Sequence, residues 1–95
     1  MTKEREITVL GAAKSGIGAA VLAKKEGLNV FVSDYGKIKT EYKNLMDDLN
    51  IEWEENGHSS NRILQSAEVV KSPGIPDDVK IVKDLHVQNI SVISE

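Results

Sequence analysis

Apolar residues recur along the chain in two alternating periods, and that alternation predicts the architecture. Residues 7–10 (Ile7, Thr8, Val9, Leu10) form a short run with a β-branched bias, which reads as a buried strand. Over residues 15–26 the period lengthens. Ile17, Ala20, Val21 and Lys24 fall at i, i+3, i+4 and i+7, a helical stripe edged by a lysine stem whose head reaches water. Lys24 and Lys25 suit the negative end of that helix, and Gly27 suits the left-handed residue that ends it. Residues 28–33 return to a buried strand. A second helix over 40–50 carries Leu45, Met46 and Leu49, and residues 51–55 then alternate apolar with acidic, as a half-buried strand does. Its glutamates place that strand at a sheet edge. Loop 56–60, a short helix over 61–66, a strand over 67–71 and the punctuation of Ser72, Pro73, Gly74, Ile75 and Pro76 follow. A helix capped by Asp77 or Asp78 runs to His86 with Ile81, Val82 and Leu85 inward, and residues 90–93 make a last strand.

Strands that alternate with helices imply an α/β fold. The expected architecture is a Rossmann-like, five-stranded parallel sheet in the order 3-2-1-4-5, with helices on both faces, forming one domain over residues 1–95. Ninety-five residues at 40% hydrophobic content support a single core. A formal charge of −3, with twelve basic residues scattered among fifteen acids, speaks against a nucleic-acid partner, so any phosphate site must be local. The absence of cysteine excludes a disulfide framework and thiolate chemistry. With no signal-peptide pattern and no apolar run approaching ~18 residues, neither a membrane partner nor a membrane span is expected, and the cytoplasm is the expected location.

The chemistry concentrates where the first strand meets the first helix. Gly11 can take the positive φ of a tight strand-to-helix turn, and Gly16 lets the helix or a ligand approach without a Cβ in the way. The helix start behind them offers unpartnered N–H groups and partial positive charge, the ingredients of a phosphate cradle. In the dinucleotide fingerprint G-x-G-x-x-G the middle glycine is here Ala13, whose methyl stands where the backbone would approach a pyrophosphate. Ser15 offers a hydroxyl and an amide to a phosphate oxygen, or caps the helix; Lys14 offers a charge, or is solvated. Asp34 ends the second strand 23 residues after Gly11, near the spacing at which an acid meets a ribose or base, and equally begins an ordinary turn. Tyr35 stacks on a base or covers the surface. Ser72, Pro73 and Gly74 fit a type II turn, and the order 3-2-1-4-5 sets that turn and the Gly11 loop on opposite sides of one crevice. Neither His58 nor His86 has a second ligand at metal-binding spacing, so neither is assigned a site, and the chain has no P-loop.

The order of motifs is more specific than any one of them. Val9-Leu10-Gly11-Ala12-Ala13-Lys14-Ser15-Gly16 comes near the start, Val32-Ser33-Asp34 ends strand two, and Glu55-Asn56-Gly57-His58 precedes the short helix. Val69-Val70-Lys71-Ser72-Pro73-Gly74-Ile75-Pro76 follows. From about Ile7 to Glu95 this resembles the N-terminal domain of the Mur ligase family, in its D-glutamate-adding branch. The resemblance implies a first domain that holds the uridine diphosphate part of UDP-N-acetylmuramoyl-L-alanine. It further implies a central P-loop domain binding ATP and magnesium, and a C-terminal domain bringing D-glutamate to an acyl phosphate. By resemblance Ala13, Lys14, Ser15 and Gly16 meet the diphosphate, Asp34 and Tyr35 the uracil, and Ser72, Pro73 and Gly74 the uridine side, with Gly11 the structural glycine of the turn. The implied partners are that sugar nucleotide and the central and C-terminal domains, and the chain is expected to be a truncated first domain. It would bind without catalysing and hold no catalytic residue, cofactor or metal of its own. The alternative is an NAD(P)-binding module of an oxidoreductase or redox-sensing regulator, which shares the β-α-β start and Asp34; Ala13 and the Ser72–Pro76 stretch speak against it.

Overall fold

Among residues 5–76 and 78–94, which the computed structural model describes, strands and helices alternate without exception. The elements are β1 (Glu6–Leu10), α1 (Lys14–Lys25), β2 (Asn29–Ser33), α2 (Thr40–Asp48), β3 (Glu52–Glu54), α3 (Ser60–Ile63), β4 (Glu68–Lys71), α4 (Lys80–Val87) and β5 (Ser91–Ser94). All four strand pairings are parallel, and the sheet order is β3-β2-β1-β4-β5, as the alternating pattern predicts; the crossover from β3 to β4 passes over β2 and β1, which reverses the winding. β3 lies at one edge.

Side chains of one strand point alternately to the two faces. Val30 and Val32 therefore join Val9, Ile17, Ala20, Ile38, Met46 and Ile51 on the face covered by α1 and α2. Phe31 and Leu10 join Ile63, Val69, Ile81, Val82 and Leu85 on the face covered by α3 and α4. A strand buried on both faces reads as a continuous apolar run, which is why β1 and β2 were legible without alternation.

Three helices end in the same way. After α1, Gly27 sits at φ +83°, its N–H bonds the Lys24 carbonyl at 3.0 Å and the Leu28 N–H bonds that of Ala23 at 3.2 Å. Asn50 at φ 59° repeats the arrangement after α2, and Asn89 at φ 59° after α4. In each, the residue beyond the cap, Leu28, Ile51 or Ile90, bonds back to the last turn and leads into the next strand. The helix predicted to reach Asn50 thus ends at Asp48, because Asn50 is spent on the left-handed cap.

The start of α4 also differs from expectation. Asp77 lies outside the described residues, Asp78 lies in the preceding turn, and the helix begins at Lys80 with Val79 as an extended cap residue. The Val79 carbonyl accepts the N–H groups of Val82 and Lys83, both at 3.1 Å, while its side chain packs against the core cluster that includes Val82 and Leu85. Apolar packing sets this boundary in place of an acidic cap.

Candidate functional site

The register brings the carboxyl ends of the strands level. Leu10 pairs with Ser33 on one side and Lys71 on the other, and Ser33 pairs with Glu54. Whatever follows these residues is delivered to one rim of the sheet, where the winding reverses between β1 and β4.

The glycine turn stands at the centre of that rim. Gly11 has φ +98°, and a Cβ there would lie 2.8 Å from that of Ser72. Its N–H bonds the Ser33 carbonyl at 2.9 Å, and the Ser72 N–H bonds the Leu10 carbonyl at 2.9 Å, so the turn is held from both neighbouring strands. Gly16 lies directly against it; a Cβ would come within 1.8 Å of the Gly11 carbonyl oxygen. Ala13 takes the N-cap position of α1 in an extended conformation, with no side-chain cap. Ser15 is consequently the second helical residue, exposed and not a cap. The first intrahelical donor is the Ile17 N–H, to the Ala13 carbonyl at 2.9 Å, so the N–H groups of Lys14, Ser15 and Gly16 precede the helical ladder.

Asp34 braces this turn. One carboxylate oxygen accepts the Ala12 N–H at 2.7 Å and the other the Gly36 N–H at 2.8 Å. Beside it Tyr35 is 78% exposed, with its ring centroid 6.0 Å from that of His58 and tilted by 51°. Across the crevice, the Ile75 N–H closes the 72–75 turn on the Ser72 carbonyl at 3.0 Å. Gly74 does not carry the left-handed φ that a type II turn needs, so the expectation of that type fails. From inside, the buried ammonium of Lys71 holds the Ile75 carbonyl at 2.6 Å, which fixes the turn by its side chain.

These elements enclose a cavity of about 580 Å³. Of the residues predicted for a site, Gly11, Ala13, Asp34, Tyr35, Ser72 and Gly74 line it, whereas Lys14, Ser15, Gly16 and Pro73 are outside its lining. His58, which the sequence pattern assigned to no site, also lines it, as do Ser60, Ile75, Val79, Lys80 and Asp84, none of which was expected there. For His58, Ile75 and Val79 the signal was positional, since a loop that follows a strand's carboxyl end must open on this rim, whereas Ser60, Lys80 and Asp84 belong to the helices those loops lead into.

Below Tyr35 lies a polar chain. The Ser33 hydroxyl donates to Glu54 at 2.7 Å and stands 2.6 Å from Nδ1 of His58. Glu54 also accepts the N–H and hydroxyl of Ser59. Burial opposes ionisation of Glu54, yet the hydrogen bonds from Ser59 and Ser33 prevail and its pKa falls below the usual value. His58 is pushed down by burial of its ring, against the pull of Glu54 and Asp34.

A larger hollow, about 730 Å³, lies at the amino ends of the strands. There Arg62 forks onto Glu6 at 2.9 and 3.0 Å, reaches Glu52 at 3.1 Å and stacks 3.8 Å over Phe31, so each of its three nitrogens already bonds a carboxylate of the chain. Ligands of open α/β sheets take the carboxyl rim, and the smaller cavity is the better candidate despite its size. Among the described residues no helix is long and apolar enough to cross a membrane, and no cluster of His, Cys, Asp or Glu could hold a metal ion.

The sequence and the fold both recur in known proteins. The UDP-N-acetylmuramoylalanine–D-glutamate ligase of Bacteroides fragilis is 52% identical over 91 residues, covering 96% of this chain and 20% of the relative. That of Christiangramia forsetii is 47% identical over 91 residues, with the same coverage of 96% and 20%. The chain therefore spans about a fifth of the length of these relatives. A pseudomurein peptide ligase type C from Methanothermus fervidus superimposes with a TM-score of 0.82 at 22% identity, over 96% of this chain and 19% of that one, and shows the shared fold. The family model described as MurD N-terminal domain matches residues 6–81, and the chain belongs to that family.

Proposed function

We propose that this domain holds the uridine diphosphate part of UDP-N-acetylmuramoyl-L-alanine for an ATP-dependent ligase that adds D-glutamate to peptidoglycan precursors. The observation that carries the reading is the cavity between the Gly11 turn, Asp34 and Tyr35, and the 72–75 turn, with the start of α1 beside it. A diphosphate at that helix start meets N–H groups that precede the helical ladder and the positive end of twelve aligned residues. Lys14, Ser15 and Gly16 serve the diphosphate there. Asp34 and Tyr35 frame the base, and Ser72, Pro73 and Gly74 border the uridine. The relatives' names favour this ligand over the dinucleotide of the NAD(P) alternative.

On this reading ATP and magnesium act elsewhere in the ligase, and the chain by itself binds without catalysing. A cytoplasmic setting goes with it. Affinity of the domain alone is weak, because a helix terminus contributes only ~0.3 to 2 kcal/mol per charge.

The test is a two-dimensional NMR titration of the labelled chain with UDP-N-acetylmuramoyl-L-alanine in one series and NAD in another. Shifts at Lys14, Ser15, Gly16, Asp34, Tyr35 and Gly74 with the sugar nucleotide alone are expected. Shifts with NAD alone transfer the site to the dinucleotide class, and silence in both series removes it.

A further inference from the structure

The hydrogen-bond chain beneath Tyr35 determines which nitrogen of His58 carries the proton. An ionised carboxylate only accepts hydrogen bonds, and Glu54 accepts from the Ser59 N–H at 2.7 Å, from the Ser59 hydroxyl and from Ser33. Ser33 is fully buried and has one hydroxyl proton. With that proton directed to Glu54 at 2.7 Å, its oxygen is left to accept from the imidazole at 2.6 Å. The hydrogen of a neutral His58 therefore sits on Nδ1, and Nε2 keeps its lone pair. Burial favours the neutral ring over the pull of Glu54 on β3 and Asp34 at the end of β2.

His58 lines the cavity, and among the described residues nothing donates to its Nε2. Asp34, the other acceptor at this place, already receives one backbone N–H on each oxygen, at 2.7 and 2.8 Å. Each Asp34 oxygen keeps a second lone pair, but both oxygens are already turned to the backbone, whereas the Nε2 lone pair of His58 has no donor among the described residues. We infer that His58 is a specificity-determining residue of the nucleotide site, its Nε2 accepting a hydrogen bond from the nucleoside, either from the imide N–H of the base or from a ribose hydroxyl. This rests on the proposed uridine nucleotide site. A ring nitrogen that carries a lone pair would face another lone pair here, so an acceptor at this place selects donors.

Two substitutions separate the functions of the two ring nitrogens. His58→Asn retains a polar group near Nδ1 for Ser33 and removes the acceptor at Nε2, whereas His58→Gln places an amide oxygen near Nε2. UDP is titrated into the wild type and both variants, whose folded state is checked by amide dispersion, and N3-methyl-UDP and 2′-deoxy-UDP are titrated alongside. Loss of one neutral hydrogen bond weakens UDP about three- to tenfold in His58→Asn, with most of the affinity restored in His58→Gln. One of the two analogues shows the same loss in wild type and no further loss in His58→Asn, which names the donor. Equal UDP affinity in wild type and His58→Asn overturns the inference while leaving the nucleotide site standing. Failure of the wild type to bind any uridine nucleotide overturns both. Long-range nitrogen NMR of the free chain that places the proton on Nε2 overturns the inference independently of any ligand.

Discussion

Gly16→Ala offers the sharpest test of how the site is built, with Gly18→Ala as its internal control. At residue 16 an added Cβ would fall 1.8 Å from the Gly11 carbonyl oxygen and 2.9 Å from its carbon, where real contacts stay beyond about 3.0 Å. The obstacle is backbone held by the Ser33 carbonyl, not a side chain that can swing away. α1 would have to retreat by more than an ångström from the turn. Overpacking of this kind costs about 1–3 kcal/mol and more where nothing yields, against which alanine regains up to ~1 kcal/mol of helix propensity. We expect a net loss of about 3 kcal/mol, a large part of the ~5–14 kcal/mol available to a domain of this size. At residue 18, on the same helix, nothing lies within 4 Å of the added methyl, and the substitution should stabilise by ~0.5–1 kcal/mol. Urea denaturation followed by circular dichroism measures both, and the melting temperatures should part in opposite directions, down by roughly 12–24 °C and up by a few degrees. Stability of Gly16→Ala within ~0.5 kcal/mol of wild type, or an equal loss in both variants, would refute the close approach as the reason for the glycine.

Ser15→Glu puts a carboxylate at the positive end of α1, so stability should stay within ~0.5 kcal/mol while uridine diphosphate binding is abolished; unchanged nucleotide affinity in a calorimetric titration would sink the assigned cradle. Asp34→Asn leaves one acceptor for two N–H donors, and should cost about 1.5–3 kcal/mol with faster hydrogen exchange at Ala12 or Gly36; unaltered exchange at both contradicts the brace. Stability should also fall on acidification in two stages. The unfolded chain takes up a proton at residue 58 below about 6.5 that the native ring resists, and below about 4.5 it takes up one at Glu54 that the native carboxylate resists. Both stabilising contributions are fully present above those values and are lost as pH drops. His58→Asn removes the upper stage, and a urea midpoint that stays level from pH 7 to 5 in wild type would contradict the depressed imidazole.

β1 and β2 were readable because strands buried on both faces must be apolar throughout, and β3 because the acids flanking Trp53 mark a single covered face. From five such strands the crossover rule leaves little freedom, and the crevice between the Gly11 loop and Ser72 follows. What escaped the reading depends on partners remote along the chain. The role of His58 requires Ser33 and Glu54, which come from two different strands, Ser33 lying 25 residues before it. A lone histidine without metal spacing shows nothing of this. Asp77 and Asp78 advertise a cap by local chemistry, but Val79 takes the position because its side chain completes the α4 face of the core. Gly74 belongs to a residue type that permits either sign of φ, so its identity does not select the turn that forms, which the Ile75 N–H on the Ser72 carbonyl and the Lys71 ammonium on the Ile75 carbonyl hold.

The three left-handed caps have a consequence for how this fold tolerates change. They leave connections 26–28, 49–51 and 88–90 of equal length, each ending in an apolar residue already tied back to its helix. One extra residue there would rotate the next strand by half its repeat and exchange the faces to which its side chains point. At the opposite rim the connections run over 11–13, 34–39, 55–59 and 72–79, unequal in length and free of that constraint. The connection 64–67 after α3 is one residue longer and has no left-handed cap, so insertions and deletions should be tolerated better at 34–39 or 72–79 than at the three capped connections. A library that varies loop length at 34–39 or 72–79 could reshape what the crevice accepts while the three capped connections go on counting residues for the strands they feed.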